Sequence, residues 1–178
     1  GGIRGIKKFL QREENEMDEL FELNLIQNTG LAAEALVTTA VAYYREKNSA
    51  NGLPFPLSFL VLPLLFHRRT VDAIKKRKGN GVLYKAIKED KEIPVGLQSR
   101  MESMFDRTLS AFSLAITANM LTIDLATAEL IPMVRTIPKS ALPVIESAKD
   151  IFNVANRLGK AFAEHSVEEI IKITEVVF

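Results

Sequence analysis

The sequence predicts a mainly α fold with one β-hairpin, a helical bundle of winged-helix-like kind, and three observations predict it. Apolar residues recur at steps of three and four along most of the chain. The period changes to two in one place, Leu121-Thr122-Ile123-Asp124-Leu125, where a return strand follows. Two more amphipathic helical stretches come after that hairpin. At 178 residues, 47% apolar and 25% charged, the chain has the composition of a folded domain, so disorder over its whole length is excluded. A chain of this size buries roughly 70% of its unfolded surface without staples. One domain is therefore expected over residues 1–178, with a helical part over about 1–118 and the hairpin plus C-terminal helices over about 119–178.

The elements follow in order. Residues 3–25 are amphipathic and charged, with Ile6, Phe9, Leu10, Met17, Leu20 and Phe21 set among lysines, arginines and carboxylates at helical spacing. Asn28 is a good N-cap for a second helix over residues 31–45, which is apolar on most sides and so predicted to be central. Residues 47–56, KNSANGLPFP, read as a loop. The apolar run LSFLVLPLLF at 57–66 is predicted as a core helix over 57–62, with Pro63 starting, ending or kinking a helix because it lacks an N–H. Thr70 is the expected N-cap of a helix running to Lys76. Lysines and Arg77 then lead into Gly79-Asn80-Gly81, a strong stop.

A short helix is expected over 82–88, and a long one over 96–118 with Leu97, Met101, Met104, Phe105, Leu109, Phe112 and Ile116 on its apolar side. In the hairpin, Pro132 has to lie at an edge position. Residues 137–143 form a proline-punctuated link. An amphipathic helix over 147–164 carries Ile151, Phe152, Val154, Leu158 and Phe162. Ser166 with Glu169 makes a capping box for a last helix through Ile173.

Composition narrows the function classes. Cysteine is absent, which removes disulfides, thiolate metal sites and cysteine nucleophiles, and fits a reducing, cytoplasmic setting. A net charge of +1 gives no whole-chain grip on nucleic acid. The ten-residue apolar run is half of what a bilayer-crossing helix needs, so no membrane role is expected. Gly1 and Gly2 read as an expression scar or a processed start and stay outside the fold argument.

Candidate chemistry is thin. His67, in Phe66-His67-Arg68-Arg69-Thr70, reads as a structural histidine at the edge of the core, because a catalytic histidine needs a second group within reach. His165, beside Glu164 and Glu169, could contribute to a metal site, but its spacing fits no metal motif and suits a helix junction. Glu13, Glu14, Glu16, Asp18 and Glu19 read as a solvated face. GxxxxGK[ST] is absent. The densest feature is basic: Arg68, Arg69, Lys75, Lys76, Arg77 and Lys78, either a solvated helix end or a nucleic-acid-binding face for phosphates. No catalytic residue, metal or cofactor is expected.

Three stretches together resemble the middle component of bacterial three-component ABC systems. The first is PFPLSFLVLPLLFHRRT at 54–70, an apolar core ending in histidine, a basic residue and threonine. The second is LIQNTGL at 25–31 ahead of the alanine-rich helix ending in Tyr43-Tyr44, with Thr29-Gly30 where the family usually has proline-alanine. The third is ANRLGKAFA at 155–163, similar to the family's LGxxF segment. The matching positions are Phe59, Leu60, Val61, Leu62, Pro63, His67, Arg69 and Thr70, with Leu158, Gly159 and Phe162.

The resemblance implies a non-enzymatic linker encoded beside an ABC-type ATPase of the chromosome-maintenance and repair kind and a third component, in antiviral defence. From it follows the first hypothesis, an adaptor. The second is a DNA-binding module whose basic cluster meets phosphates beside the hairpin. The apolar content of residues 31–44 leaves room for a homodimer face as well.

Overall fold

The computed structural model of the protein describes residues 2–136 and 146–178, without the side chains of 18–27 and 146–147. The link expected at 137–143 therefore lies wholly outside the described residues. The observed order is α1 (Gly2–Gln27), α2 (Thr29–Glu46), β1 (Leu53–Pro54), α3 (Phe55–Leu65), α4 (Arg68–Lys75), α5 (Val82–Glu89), α6 (Leu97–Ser103), α7 (Phe105–Thr117), β2 (Leu121–Asp124), β3 (Glu129–Pro132), α8 (Glu146–Ala163) and α9 (Val167–Thr174). The mainly α fold with a β-hairpin is the one the periodicities predict.

The centre is α2. The Asn28 side chain accepts a hydrogen bond from the Leu31 N–H at 3.0 Å, closing the helix start that the sequence marks. Ala32, Ala35, Leu36, Val37, Ala40 and Ala42 are all buried, and the one buried hydroxyl among them, Thr39, donates to the Ala35 carbonyl at 2.9 Å. Small side chains bring α8 close. A Cβ built on Gly159 would stand 2.3 Å from the Thr39 carbonyl oxygen and 2.7 Å from the Ala42 Cβ, so only glycine permits this approach. Leu158 and Phe162 on either side are fully buried.

α3 departs from expectation. It begins at Phe55, earlier than predicted, and runs through Pro63 to Leu65. An interior proline costs about 3 kcal/mol or more. Leu57, Leu60, Leu62, Leu64 and Leu65 are each at most 1% exposed. Full burial of one leucine is worth about 1.5–3 kcal/mol, so the five together outweigh the lost bond. Arg100 then reaches over from α6 and donates to the Pro63 carbonyl at 3.4 Å.

α4 is also corrected. It starts at Arg68 with His67 as N-cap, and Thr70 lies inside the first turn. Its last carbonyls are taken by Arg157 of α8, which donates to the oxygens of Ile74, Lys75 and Arg77 at 3.2, 3.0 and 2.7 Å.

The long helix expected over 96–118 is two helices, broken at Met104, whose backbone sits at φ −96°, ψ 4°. Met104 itself is buried and keeps the core filled across the break. The sheet gains a strand the sequence hid. Leu53 and Pro54, expected in a loop, pair antiparallel with Leu130 and Glu129, giving the order β1-β3-β2. Glu129 holds this junction by accepting from the Gly52 N–H at 2.9 Å. β3 is thus central; Pro132 pairs with Leu121 of β2, and because β1 pairs only with Leu130 and Glu129, no ladder bond is asked of Pro132 on that side.

The C-terminal helices follow the sequence closely. Ile151, Val154, Leu158 and Phe162 of α8 are fully buried, and the Ser166 hydroxyl accepts from the Glu169 N–H at 3.1 Å as the capping box requires. The dimer face considered for residues 31–44 is occupied within the chain, because α8 and α7 cover that helix.

Candidate docking site

The two histidines are placed apart from any catalytic arrangement. His67 shares a 2.7 Å hydrogen bond between its Nδ1 and the Thr70 hydroxyl, one turn into the helix it caps. Burial, reinforced by the nearby Arg100 and Arg69 charges, lowers its pKa to about 4, so the ring is neutral at physiological pH. His165 meets Glu169 at 2.9 Å, within one helix start. Among the described residues no group of three or more histidines and carboxylates is placed to hold a metal. No described helix is long and apolar enough to cross a membrane.

The basic cluster is largely matched by carboxylates. Arg69 lies 2.5 Å from Asp90, Lys75 lies 3.0 Å from Asp150, Arg68 lies 3.9 Å from Asp72, and Arg77 pairs with Glu89. The guanidinium of Arg69 beside Asp90 holds that carboxyl below the usual carboxylate range. Lys76 and Lys78 are exposed, and Lys78 lines a polar pocket together with Arg157, Lys160, Glu46 and Glu164. Charge of both signs therefore meets there.

A different surface is concave and apolar. A groove of about 700 Å³ opens between α3, α6, the start of α7 and the chain end, lined by Phe55, Phe59, Met101, Phe105, Val177 and Phe178. Its floor is a run of packed rings. Phe59 stacks on Phe105 with centroids 5.1 Å apart, meets Phe55 edge-on at 5.2 Å, and Phe55 stacks on Phe112 at 5.6 Å. Such pairs add about 0.5–1.5 kcal/mol each beyond their burial, so the floor is rigid. The far wall is the tail after α9. Buried Val176 anchors it, and the Gln98 side-chain amide brackets Val177, donating to its carbonyl at 3.1 Å and accepting from its N–H at 2.8 Å. Glu102 and Asp106 stand on the rim.

The apolar surface continues along α7. Phe105 is 47% exposed and Leu109 and Ile116, on the same stripe of the helix, are each 40% exposed, while Ala111, Phe112 and Ala115 face the core and Leu114, 41% exposed, lies on the opposite side. Phe105, Leu109 and Ile116 were expected on the core face, since their steps of three and four match it. The core stripe instead runs Met101, Met104, Thr108, Ala111 and Ala115 in steps of three and four, so the smaller Thr108, Ala111 and Ala115 take that side. Leu125, at the tip of the β2–β3 hairpin, is 90% exposed. The sequence signal that could have found this surface was the excess of apolar residues in α7: too many for one face.

These features define a small helical protein with an open aromatic groove. The chain belongs to the ABC-three component system Middle Component 3 family, whose model matches residues 17–178. No curated protein and no solved structure matches it. The signature residues turn out to be architecture: Leu60, Val61, Leu62, Leu158 and Phe162 are core, Gly159 is the α2–α8 contact, and His67, Arg69 and Thr70 fix the start of α4.

Proposed function

We propose that the chain is a non-enzymatic adaptor that joins an ABC-type ATPase of the chromosome-maintenance kind to the third component of its system, within bacterial cytoplasmic defence against phage. The observation that carries this reading is the aromatic groove with its apolar continuation along α7. An open floor of stacked phenylalanines is costly to leave in water and suited to holding another protein. The acidic rim, Glu102 and Asp106, favours a partner segment with apolar anchors flanked by lysine or arginine. The connectivity supports a winged-helix-like role for this face: β1 pairs with the second hairpin strand, and α7 leads directly into the first. In that arrangement α7 is the presented helix, and here it presents apolar residues.

Co-expression tests the link. With all three proteins present, a tag on the ATPase should retain the third component, and omitting this chain should abolish that retention. Retention that is unchanged without the chain removes the adaptor.

A second reading, DNA binding, is favoured by the exposed Lys76 and Lys78 next to the Gly79–Gly81 loop. It predicts duplex binding that falls with salt, and a shallower salt slope when both lysines are replaced by alanine. No binding at low salt would remove it.

A further inference from the structure

α1 is a 26-residue helix in which every residue from 2 to 17 is exposed. Ile3, Ile6, Leu10 and Met17 follow steps of three, four and seven, which places them on one stripe, with Phe9 at its edge. They are 59–75% exposed. A helix with a seam of this kind, standing clear of the body, gains little from packing within its own chain. The stripe is outside the groove and is not used by the proposed adaptor site.

Charge along α1 is segregated by half. Residues 2–12 carry Arg4, Lys7, Lys8 and Arg12 and no carboxylate, while residues 13–22 carry six carboxylates and no base. A parallel pair of such helices would set like charge against like along its whole length. An antiparallel pair sets each basic half against an acidic half.

We propose that α1 is a self-association element: two copies of this chain pair through antiparallel α1 helices. The two-fold axis passes near residues 11–12, where the seam of one helix meets the seam of the other in opposite direction. This register brings Ile6 of one copy beside Met17 of the second, and Lys7 of one beside Glu14 of the second, twice over by symmetry. Glu13, the polar interruption of the stripe, then falls opposite Leu10 of the other copy, next to the axis. The dimer would carry two grooves, so one assembly could hold two partner segments.

Analytical ultracentrifugation of the whole chain across micromolar concentrations tests the proposal. The expected result is a concentration-dependent species of twice the 19.8 kDa chain mass. Ile6→Glu with Leu10→Glu should leave a monomer with unchanged circular dichroism, since both side chains are exposed in the single chain. Lys7→Glu alone and Glu14→Lys alone should each weaken association about tenfold, and the two together should restore it. A chain that stays monomeric at all concentrations overturns the proposal. So does a dimer that ignores the α1 substitutions, or a charge swap that fails to restore pairing. Association of α1 with anionic lipid vesicles, stronger than its self-pairing, would also overturn it in favour of a membrane surface.

Discussion

Replacing Gly159 by alanine adds one methyl group at the close contact between α2 and α8. That carbon would lie 2.3 Å from the Thr39 carbonyl oxygen, 2.7 Å from the Ala42 Cβ and 2.9 Å from the Tyr43 nitrogen. Two of the three atoms are backbone, so no side-chain rotation relieves the clash, and α2 and α8 must move apart. Helix propensity favours alanine by about 1 kcal/mol. Overpacking of this kind costs about 3 kcal/mol, the upper end of the usual range, because backbone is involved. The net expectation is destabilisation of about 2 kcal/mol, a fall in Tm of about 4–8 °C for a chain this long. Gly30→Ala is the control: there the new methyl would meet only the Asn28 Oδ1 at 3.4 Å, so thermal unfolding should show no loss. Circular dichroism melts of the two variants make the comparison. If Gly159→Ala unfolds at or above the temperature of the native chain, the α2–α8 packing account is wrong.

Other expectations follow from the same geometry. With its pKa lowered to about 4 from the ordinary value near 6.5, His67 takes up a proton more readily in the unfolded chain, so its contribution to stability is present at neutral pH and fades as pH falls from about 6.5 toward 4. The full drop corresponds to at most about 3 kcal/mol, which solvent around a partly exposed ring reduces to about 1–2, about half of it falling between pH 7 and pH 5; unfolding free energies from urea at those two pH values should therefore fall by about 0.5–1 kcal/mol more in the native chain than in His67→Gln. Arg157→Ala removes a donor from the Ile74, Lys75 and Arg77 carbonyls, of which Ile74 keeps the Arg77 N–H, and should cost about 2 kcal/mol in urea unfolding. Asn28→Ala should cost about 1 kcal/mol by the same measurement, the usual worth of an N-cap.

What the sequence made legible was local chemistry. Asn28 and Ser166 declared two helix starts because each can satisfy a backbone N–H only from that position. The change of period at Leu121 declared the hairpin. β1 stayed hidden because two residues, one of them proline, carry no period of their own, and their pairing with Leu130 and Glu129 bridges more than seventy positions. α3 ran through Pro63 because a tertiary sum, five buried leucines, overrode a local cost. The groove was illegible for a related reason. Phe105 and Phe112 share a spacing that any core helix would show, and nothing local marks that the core stripe runs through Thr108, Ala111 and Ala115 and leaves Phe105 half exposed. The basic cluster looked like a phosphate face because Asp90, Asp150 and Glu89, which sit against it, come from other parts of the chain.

The central claim is that the aromatic groove is where a partner docks, and Phe105→Glu tests it most directly. Phe105 is half exposed and stacked on Phe59, so the substitution puts a charge on the groove floor while leaving the core intact. Binding of each purified system component to the native chain and to the variant is measured by calorimetry, with Lys76→Ala/Lys78→Ala as the comparison. The account predicts that Phe105→Glu weakens one component by more than about thirtyfold, about 2 kcal/mol, and that the lysine variant binds as the native chain does. Equal affinity of Phe105→Glu and native chain for every component, with loss confined to the lysine variant, would contradict it.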